Sequence, residues 1–408
     1  MVSVMKTGYK QTEIGVIPED WEVKNLNEIC KPSSTRINPL TANEDKKCVE
    51  LEHLEQATGK LIGFADLKGL KSQKAIFEKN DVLFSKLRPY LRKFLFAEFN
   101  GACTTEIWVL KAEKEIESKW LYYLIQSDRI VEAANQSTGT KMPRAEWKTV
   151  GNTQISLPKK QEQTAIAAAL SDVDALMGEL DKLIAKKRDI KQATMQQLLT
   201  GKKRLAGFSG EWEVKRLGEL ATLSKIGLNP ANTPAATFVH FSLPAFDDGA
   251  TPVIENGSSI ASNKFVVPQN SVLVSKLNPR IPRIWKPLTI PDNSICSTEF
   301  LVLLPSELLI DRDFFTVICS SKSVCAQMEL HAIGTTGSHQ RIQPQQFLKI
   351  KVKIPLEQKE QTAIATILSD MDAQINALQQ KRDKTAQLKQ GMMQELLTGR
   401  IRLVGVSA

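Results

Sequence analysis

Glu162-Gln163-Thr164-Ala165-Ile166-Ala167 returns 198 residues downstream as Glu360-Gln361-Thr362-Ala363-Ile364-Ala365, and this offset limits what the chain can fold into. At the same offset Ser171-Asp172 returns as Ser369-Asp370, and Gln197-Leu198-Leu199-Thr200-Gly201 as Glu395-Leu396-Leu397-Thr398-Gly399. A stretch repeated without net insertion folds as the same element twice. Upstream, Glu22-Val23-Lys24 behind Trp21 matches Glu213-Val214-Lys215 behind Trp212. Ser85-Lys86-Leu87-Arg88-Pro89 matches Ser275-Lys276-Leu277-Asn278-Pro279, and Cys103-Thr104-Thr105-Glu106 matches Cys296-Ser297-Thr298-Glu299. Offsets here run from 190 to 193, so loop lengths differ on a shared framework. The order is globular domain, helix, globular domain, helix, with boundaries expected at 1–156, 157–204, 205–353 and 354–408.

Arg204-Leu205-Ala206-Gly207-Phe208-Ser209, leading into the second globular half, is echoed by Arg402-Leu403-Val404-Gly405-Val406-Ser407 where a third copy would begin. Thr7-Gly8 ahead of Trp21 likewise resembles Thr200-Gly201 ahead of Trp212. These echoes predict a pseudo-circular, two-fold arrangement with adjacent termini.

Ile166, Leu170, Val173, Met177, Leu180 and Ile184 recur at 4-3-4-3-4 spacing, and Ile364, Leu368, Met371, Ile375 and Leu378 repeat the pattern, the seam of a coiled coil. Pro158 and Pro355 precede the helices, and Gly201 and Gly399 stop them. A helix of about 40 residues is roughly 60 Å long, too long to stand alone. The two are therefore expected to pack against each other, antiparallel given the pseudo-two-fold, as a stem separating the halves. DNA half-sites read from one face lie ~34 Å or a multiple apart, which such a stem can span. A coiled coil that only joins proteins has the same periodicity.

With 42% hydrophobic and 24% charged residues over 408 positions, the chain can bury the cores of two or three domains. The net charge of +9 favours a polyanionic partner. Six cysteines (Cys30, Cys48, Cys103, Cys296, Cys319, Cys325) include no CxxC pair and read as buried thiols in a reducing cytoplasm. Nothing approaches the ~18 apolar residues of a membrane span, so no membrane association is expected.

No catalytic signature holds: GxGxxG and HExxH are absent, and Gly201-Lys202-Lys203 lacks the upstream Gly and the Ser/Thr of a P-loop. Glu22/Lys24 and Glu213/Lys215 resemble the metal-binding end of nucleases, but Asp20 is too close to share a metal, and a strand opening each domain explains them. Asn278-Pro279 and Asn229-Pro230 lack the second proline and aromatic of an amino-methyltransferase loop. No catalytic residue and no metal site is assigned, and the chain reads as a non-catalytic partner.

Cations cluster in two places per half. Lys86, Arg88, Arg92 and Lys93 interleave with Phe84, Leu87, Tyr90 and Leu91, and their counterparts are Lys276, Arg280, Arg283 and Lys286. Just before each helix lie Thr138-Gly139-Thr140-Lys141 with Arg144, and Thr336-Gly337-Ser338-His339-Gln340-Arg341. Lys and Arg supply phosphate contacts, and Gly with flanking hydroxyls lets backbone N–H groups approach a phosphate. The acidic Glu106 and Glu299 are assigned to framework. Residues 31–80 and 225–269 show no similarity, so the two halves are expected to read different half-sites, giving a bipartite, asymmetric DNA sequence.

Ile17-Pro18-Glu19-Asp20-Trp21-Glu22-Val23-Lys24, Leu157-Pro158 followed by Glu162-Gln163, and Gln196-Gln197-Leu198-Leu199-Thr200-Gly201 together resemble the specificity subunits of type I restriction-modification systems, over nearly the whole chain. The resemblance implies an α/β fold of the α+β kind, with two mixed α/β target-recognition domains separated by the helices. It further implies double-stranded DNA as ligand, two methyltransferase subunits docked on the helical regions, and ATP-driven restriction subunits. S-adenosylmethionine for adenine methylation, ATP and Mg would all bind in those partners, with no cofactor in this chain. One departure is that the stretch before the Glu-Gln pair, Leu157-Pro158-Lys159-Lys160-Gln161, is a residue shorter than Ile354-Pro355-Leu356-Glu357-Gln358-Lys359, which questions whether the two helix starts are equivalent. Two other classes fit the residues: the recognition chain of a type II restriction-methylation system, and a coiled-coil scaffold that does not bind DNA.

Overall fold

The computed structural model describes residues 7–42, 45–136, 142–336 and 339–403. The chain divides into two compact units: Met1–Asp181 with Gln380–Ala408, and Lys182–Gln379. Residues of each long helix fall in both units.

In the first unit a five-stranded sheet runs in the order Arg36–Ile37, Lys74–Phe77, Gly101–Thr104, Lys47–Val49, Ala65–Asp66, and a four-stranded sheet in the order Phe94–Phe96, Val82–Ser85, Ile107–Ala112, Cys30–Pro32. The second unit repeats both orders: Gly227–Leu228, Lys264–Val266, Ser294–Ser297, Thr237–Phe241, Val253–Asn256, and Ile284–Trp285, Val272–Ser275, Phe300–Pro305, Ala221–Ser224. In each, one inner pair of the larger sheet is parallel, Cys103 facing Val49 and Cys296 facing Phe241, while the other pairings are antiparallel.

The layering follows from side-chain alternation along the inner strands. Val82 and Phe84 join the core formed with helices Ser118–Leu124 and Asp128–Asn135, whereas Leu83 faces the core of the five-stranded sheet with Phe77 and Cys103. Val272 and Val274 pack with helices Arg312–Cys319 and Lys322–Leu330, whereas Leu273 packs with Phe241 and Cys296. Both faces of the four-stranded sheet are covered, so its inner strands carry continuous apolar runs, Val82-Leu83-Phe84 and Val272-Leu273-Val274. All six cysteines are free, five of them buried and Cys325 half-buried. Burial pushes the thiols of Cys30, Cys48 and Cys296 up to about 12.

The long helices span Lys160–Leu199 and Gln358–Leu396. Within the first unit Asp174 pairs with Lys389 at 2.7 Å and Asp181 with Arg382 at 3.3 Å. Within the second, Lys191 pairs with Asp372 at 2.5 Å and Lys187 donates to Gln374 at 2.9 Å. As one index rises the other falls, so the helices pack antiparallel. Ile166 and Leu170, like Ile364 and Leu368, are buried within the domain cores. Further along, Leu180, Ile184 and Ile375 are buried, and Val173, Met177, Met371 and Leu378 are half-buried.

Both helices start two residues before their Glu-Gln pair, so the starts are equivalent. The one-residue difference is absorbed in the preceding turn, because the glutamine side chain spans it. Buried Gln163 donates to the Pro158 carbonyl at 3.0 Å and accepts from the Glu117 N–H at 2.8 Å. Gln361 does the same to Pro355 at 2.8 Å and Asp311 at 2.8 Å. The glutamate beside each glutamine closes its domain. In the first unit, Arg402 donates to both oxygens of Glu162 (2.6 and 2.8 Å) and to both of Asp20 (2.9 and 3.1 Å), while Trp21 Nε1 donates to Glu162 at 2.8 Å. Tyr9 donates to the Gly399 carbonyl at 3.0 Å, so residues from the two ends of the chain meet as expected. In the second unit Arg204 donates to both oxygens of Glu360, at 2.6 and 2.8 Å.

Candidate nucleic-acid interface

The two cationic segments singled out in each half lie side by side. In the first unit Lys86 N donates to the Glu106 carbonyl (3.0 Å), Ala145 N to the Lys86 carbonyl (2.8 Å), and Arg88 N to the Pro143 carbonyl (2.8 Å), with Leu87 opposite Arg144. Ser85 Oγ donates to the Leu87 carbonyl at 2.9 Å and fixes the start of the turn. Arg88 then takes φ +50 and Pro89 opens a short 3-10 turn, Pro89–Leu91, that ends on Arg92 at φ +49. Arg88 and Tyr90 are exposed, and buried Pro89 anchors the turn.

The second unit builds the matching turn from a sequence that differs at one position of the five, Asn278 for Arg88. Lys276 N donates to Glu299 (2.9 Å), Ile342 N to Lys276 (3.0 Å), and Asn278 N to Gln340 (2.7 Å), with Leu277 opposite Arg341. Ser275 Oγ donates to Leu277 at 3.1 Å, and Asn278 takes φ +48 before buried Pro279. Glu106 and Glu299 are framework in a specific sense. Glu106 accepts from Arg144 Nε at 3.0 Å, and Glu299 accepts from Arg341 through Nε and Nη2 at 3.0 Å each. Each glutamate thereby ties the pre-helix segment to the turn and raises the pKa of its arginine.

The candidate cations divide by what holds them. Arg92 is ion-paired with Asp128 and donates to the Gln126 carbonyl at 3.1 Å, and Lys93 donates to the Leu51 carbonyl at 2.7 Å. Arg283 makes a bidentate pair with Asp247 at 2.7 and 2.8 Å, holding that carboxyl below its usual range. His339 is bonded to Thr336 at 2.8 Å. The Lys86, Arg88 and Lys276 side chains carry no ion pair among the described residues, and exposed Arg280 makes only a long 3.4 Å bond to Asn278. Thr140, Lys141 and Ser338 lie outside the described residues. Sequence reasoning passed over Asn278, although aligning Ser-Lys-Leu-Arg-Pro with Ser-Lys-Leu-Asn-Pro singles it out. Among the described residues, no group of three or more His, Cys, Asp or Glu is placed to hold a metal ion, and no helix is long and apolar enough to cross a membrane.

Two domains of one topology, each presenting this turn and each followed by a long helix, define a tandem recognition protein. The family model of the type I restriction modification DNA specificity domain matches twice, over residues 18–191 and 209–390. The chain belongs to that family, with one recognition domain in each half, and not to the type II or scaffold classes. The type I restriction enzyme MjaVIII specificity subunit of Methanocaldococcus jannaschii is 21% identical, covering 95% of this chain and 94% of the relative. The EcoDI specificity subunit of Escherichia coli is 22% identical over 47% of this chain and 44% of its own. A chain from a structural study of complex assembly and conformational transition of the type I R-M system superposes with a TM-score of 0.59, at 20% identity over 94% of this chain and 99% of that one. The type I restriction-modification S subunit from M. genitalium gives 0.55, at 15% identity over 92% and 96%. These likenesses support the fold.

Proposed function

We propose that the chain binds double-stranded DNA at a bipartite, asymmetric site, each half read by one recognition domain, with the helix pair setting the unread gap. The helices dock two methyltransferase subunits, restriction subunits join that core, and the assembly works in the cytoplasm. S-adenosylmethionine, ATP and Mg belong to those partners, whose chemistry is adenine methylation and ATP-dependent cleavage. This chain supplies sequence choice only.

The observation that carries the reading is the cationic turn built twice from the same hydrogen bonds, beside segments 31–80 and 225–269 that share no sequence. A common scaffold with divergent surroundings suits two half-sites of different sequence. Lys86, Arg88, Lys276 and Arg280 are the cations favoured for DNA contact. Arg144 and Arg341 stand at the same edge, and Arg92, Lys93 and Arg283 brace it.

Co-expression with the methyltransferase subunits, followed by mapping of N6-methyladenine by single-molecule sequencing, tests this. One split, asymmetric motif, lost when this chain is omitted, is the expected result. A soluble assembled complex that methylates no motif would overturn the reading. Replacing Lys86 and Lys276 by Ala should lower affinity for all sequences alike and reduce the salt slope by about one per lost phosphate contact.

A further inference from the structure

We infer that residue 88 in the first domain and residue 278 in the second are equivalent base-reading positions, Arg88 selecting guanine and Asn278 selecting adenine. This rests on the DNA-binding reading above and adds a residue-level assignment to it.

The backbone around the two residues is held the same way in both domains. Ser85 and Ser275 each close onto the carbonyl two residues on. The residue-88 N–H donates to the Pro143 carbonyl at 2.8 Å and the residue-278 N–H to the Gln340 carbonyl at 2.7 Å. The next turn is closed by Leu91 N to the Arg88 carbonyl at 2.9 Å and by Ile281 N to the Asn278 carbonyl at 2.9 Å. Buried Pro89 and Pro279 follow. In Ser-Lys-Leu-X-Pro every residue is shared except X, so the frame is fixed and one side chain varies.

That position has an unusual backbone. At φ +50 and +48 both residues lie in the left-handed region, where Asn is tolerated and a long side chain such as Arg is uncommon. Gly would remove the strain at Arg88, and Gly59 at φ +70 and Gly201 at φ +66 show this chain using glycine in the left-handed region elsewhere. Strain of this kind persists where the surroundings over-determine it, commonly at ligand-contacting sites. Arg92 shares this conformation at φ +49 but is held by Asp128 and the Gln126 carbonyl, whereas the exposed Arg88 side chain makes no hydrogen bond or ion pair to any described residue.

The chemistry of the two side chains then sets what each recognises. A guanidinium donates two parallel hydrogen bonds to guanine O6 and N7, and a carboxamide both accepts from and donates to adenine at N6 and N7. Arg280 Nε donates to Asn278 Oδ1 at 3.4 Å, which leaves that oxygen its second lone pair as an acceptor and the amide Nδ2 as a donor. The same frame thus presents a two-donor fork in one domain and a donor-acceptor pair in the other.

The test uses the full chain co-expressed with its methyltransferase subunits, selecting from randomised duplex DNA at fixed salt. Arg88→Asn should change one position of the first half-site from guanine to adenine, leave the second half unchanged, and weaken binding to the wild-type site about tenfold to a hundredfold. Asn278→Arg should do the converse in the second half. Arg88→Gly, which relieves the left-handed strain, should keep the thermal midpoint and make that one position degenerate. If these variants select the wild-type motif, whether at full strength or with uniformly weaker binding and a shallower salt slope, residue 88 is at most a phosphate contact and the inference is wrong. If the wild-type complex itself selects no motif, the failure belongs to the underlying DNA-binding reading.

Discussion

Arg402 is the residue whose removal should reveal most about how the first domain is held together. Its side chain is 12% exposed and makes four hydrogen bonds, two to Asp20 and two to Glu162, whose own side chain is 2% exposed. Arg402→Ala would leave the Glu162 carboxylate buried with one remaining side-chain donor, Trp21 Nε1. Breaking a buried pair by removing one partner costs about 3–5 kcal/mol. Because Trp21 stays in place and the Asp20 arm is partly exposed, the lower end, about 3 kcal/mol, applies. For a unit of roughly 200 residues each kcal/mol moves the midpoint by about 2–4 °C, so the first unit should melt about 6–12 °C lower. Adding Glu162→Gln removes the stranded charge but keeps an acceptor for Trp21, so the double variant should recover more than half of that loss. Differential scanning calorimetry of the two single variants and the double variant gives the coupling directly. A shift below about 2 °C for Arg402→Ala, or a double variant no better than the single, would refute the idea that this pair closes the domain.

Three further outcomes follow from the same framework. Gln163→Leu and Gln361→Leu each strand a part-buried N–H and a buried carbonyl, so each should destabilise its own unit by about 2 kcal/mol in urea titration, and equal loss in both units from either change would contradict the assignment. With burial holding Cys30, Cys48 and Cys296 near 12, the native chain at pH 8 should titrate no more than one thiol with an aromatic disulfide reagent, half-buried Cys325, and all six after denaturation. Deleting the facing heptads Ile184–Ile190 and Ala373–Gln379 together shortens both helices by about 10 Å, which should reduce the gap in the methylated motif by about three base pairs at 3.4 Å each; an unchanged gap would show that the helices do not set it.

The repeated framework was legible in the sequence because duplication preserved what geometry could not vary. The Glu-Gln pair, the seam residues and the serine-lysine-leucine turn each make the same contacts twice, so each recurs. The five-stranded sheets were not legible. Arg36–Ile37, Ala65–Asp66 and Gly227–Leu228 are two-residue strands, too short for alternation to register, and the longer Lys74–Phe77 and Lys264–Val266 open on buried lysines that invert the apolar pattern. Lys74 is stabilised there by Glu50 at 2.6 Å, a partner no spacing rule could supply. The cationic turns were found by charge, but charge could not rank their members. Arg92 and Arg283 are half-buried and each has a carboxylate within reach from a distant segment, whereas Arg88 is exposed.

The difference between the two closures has a physical reason. In the second unit Arg204 stands eight residues before Trp212, so the peptide chain itself keeps the helix end beside the strand that opens the domain. There the arginine makes one carboxylate pair and Trp212 Nε1 has no hydrogen-bond partner among the described residues. In the first unit the equivalent Arg402 is 381 positions from Trp21, and only non-covalent bonds can hold the ends together. That junction has a second carboxylate on the arginine, a hydrogen bond from the tryptophan and the Tyr9 bond to Gly399. Bringing chain segments together over so long a separation carries an entropy cost that a continuous chain avoids. Two domains of the same topology therefore need different amounts of bonding at the same place, and the first unit should lose its closure before the second as conditions are made destabilising.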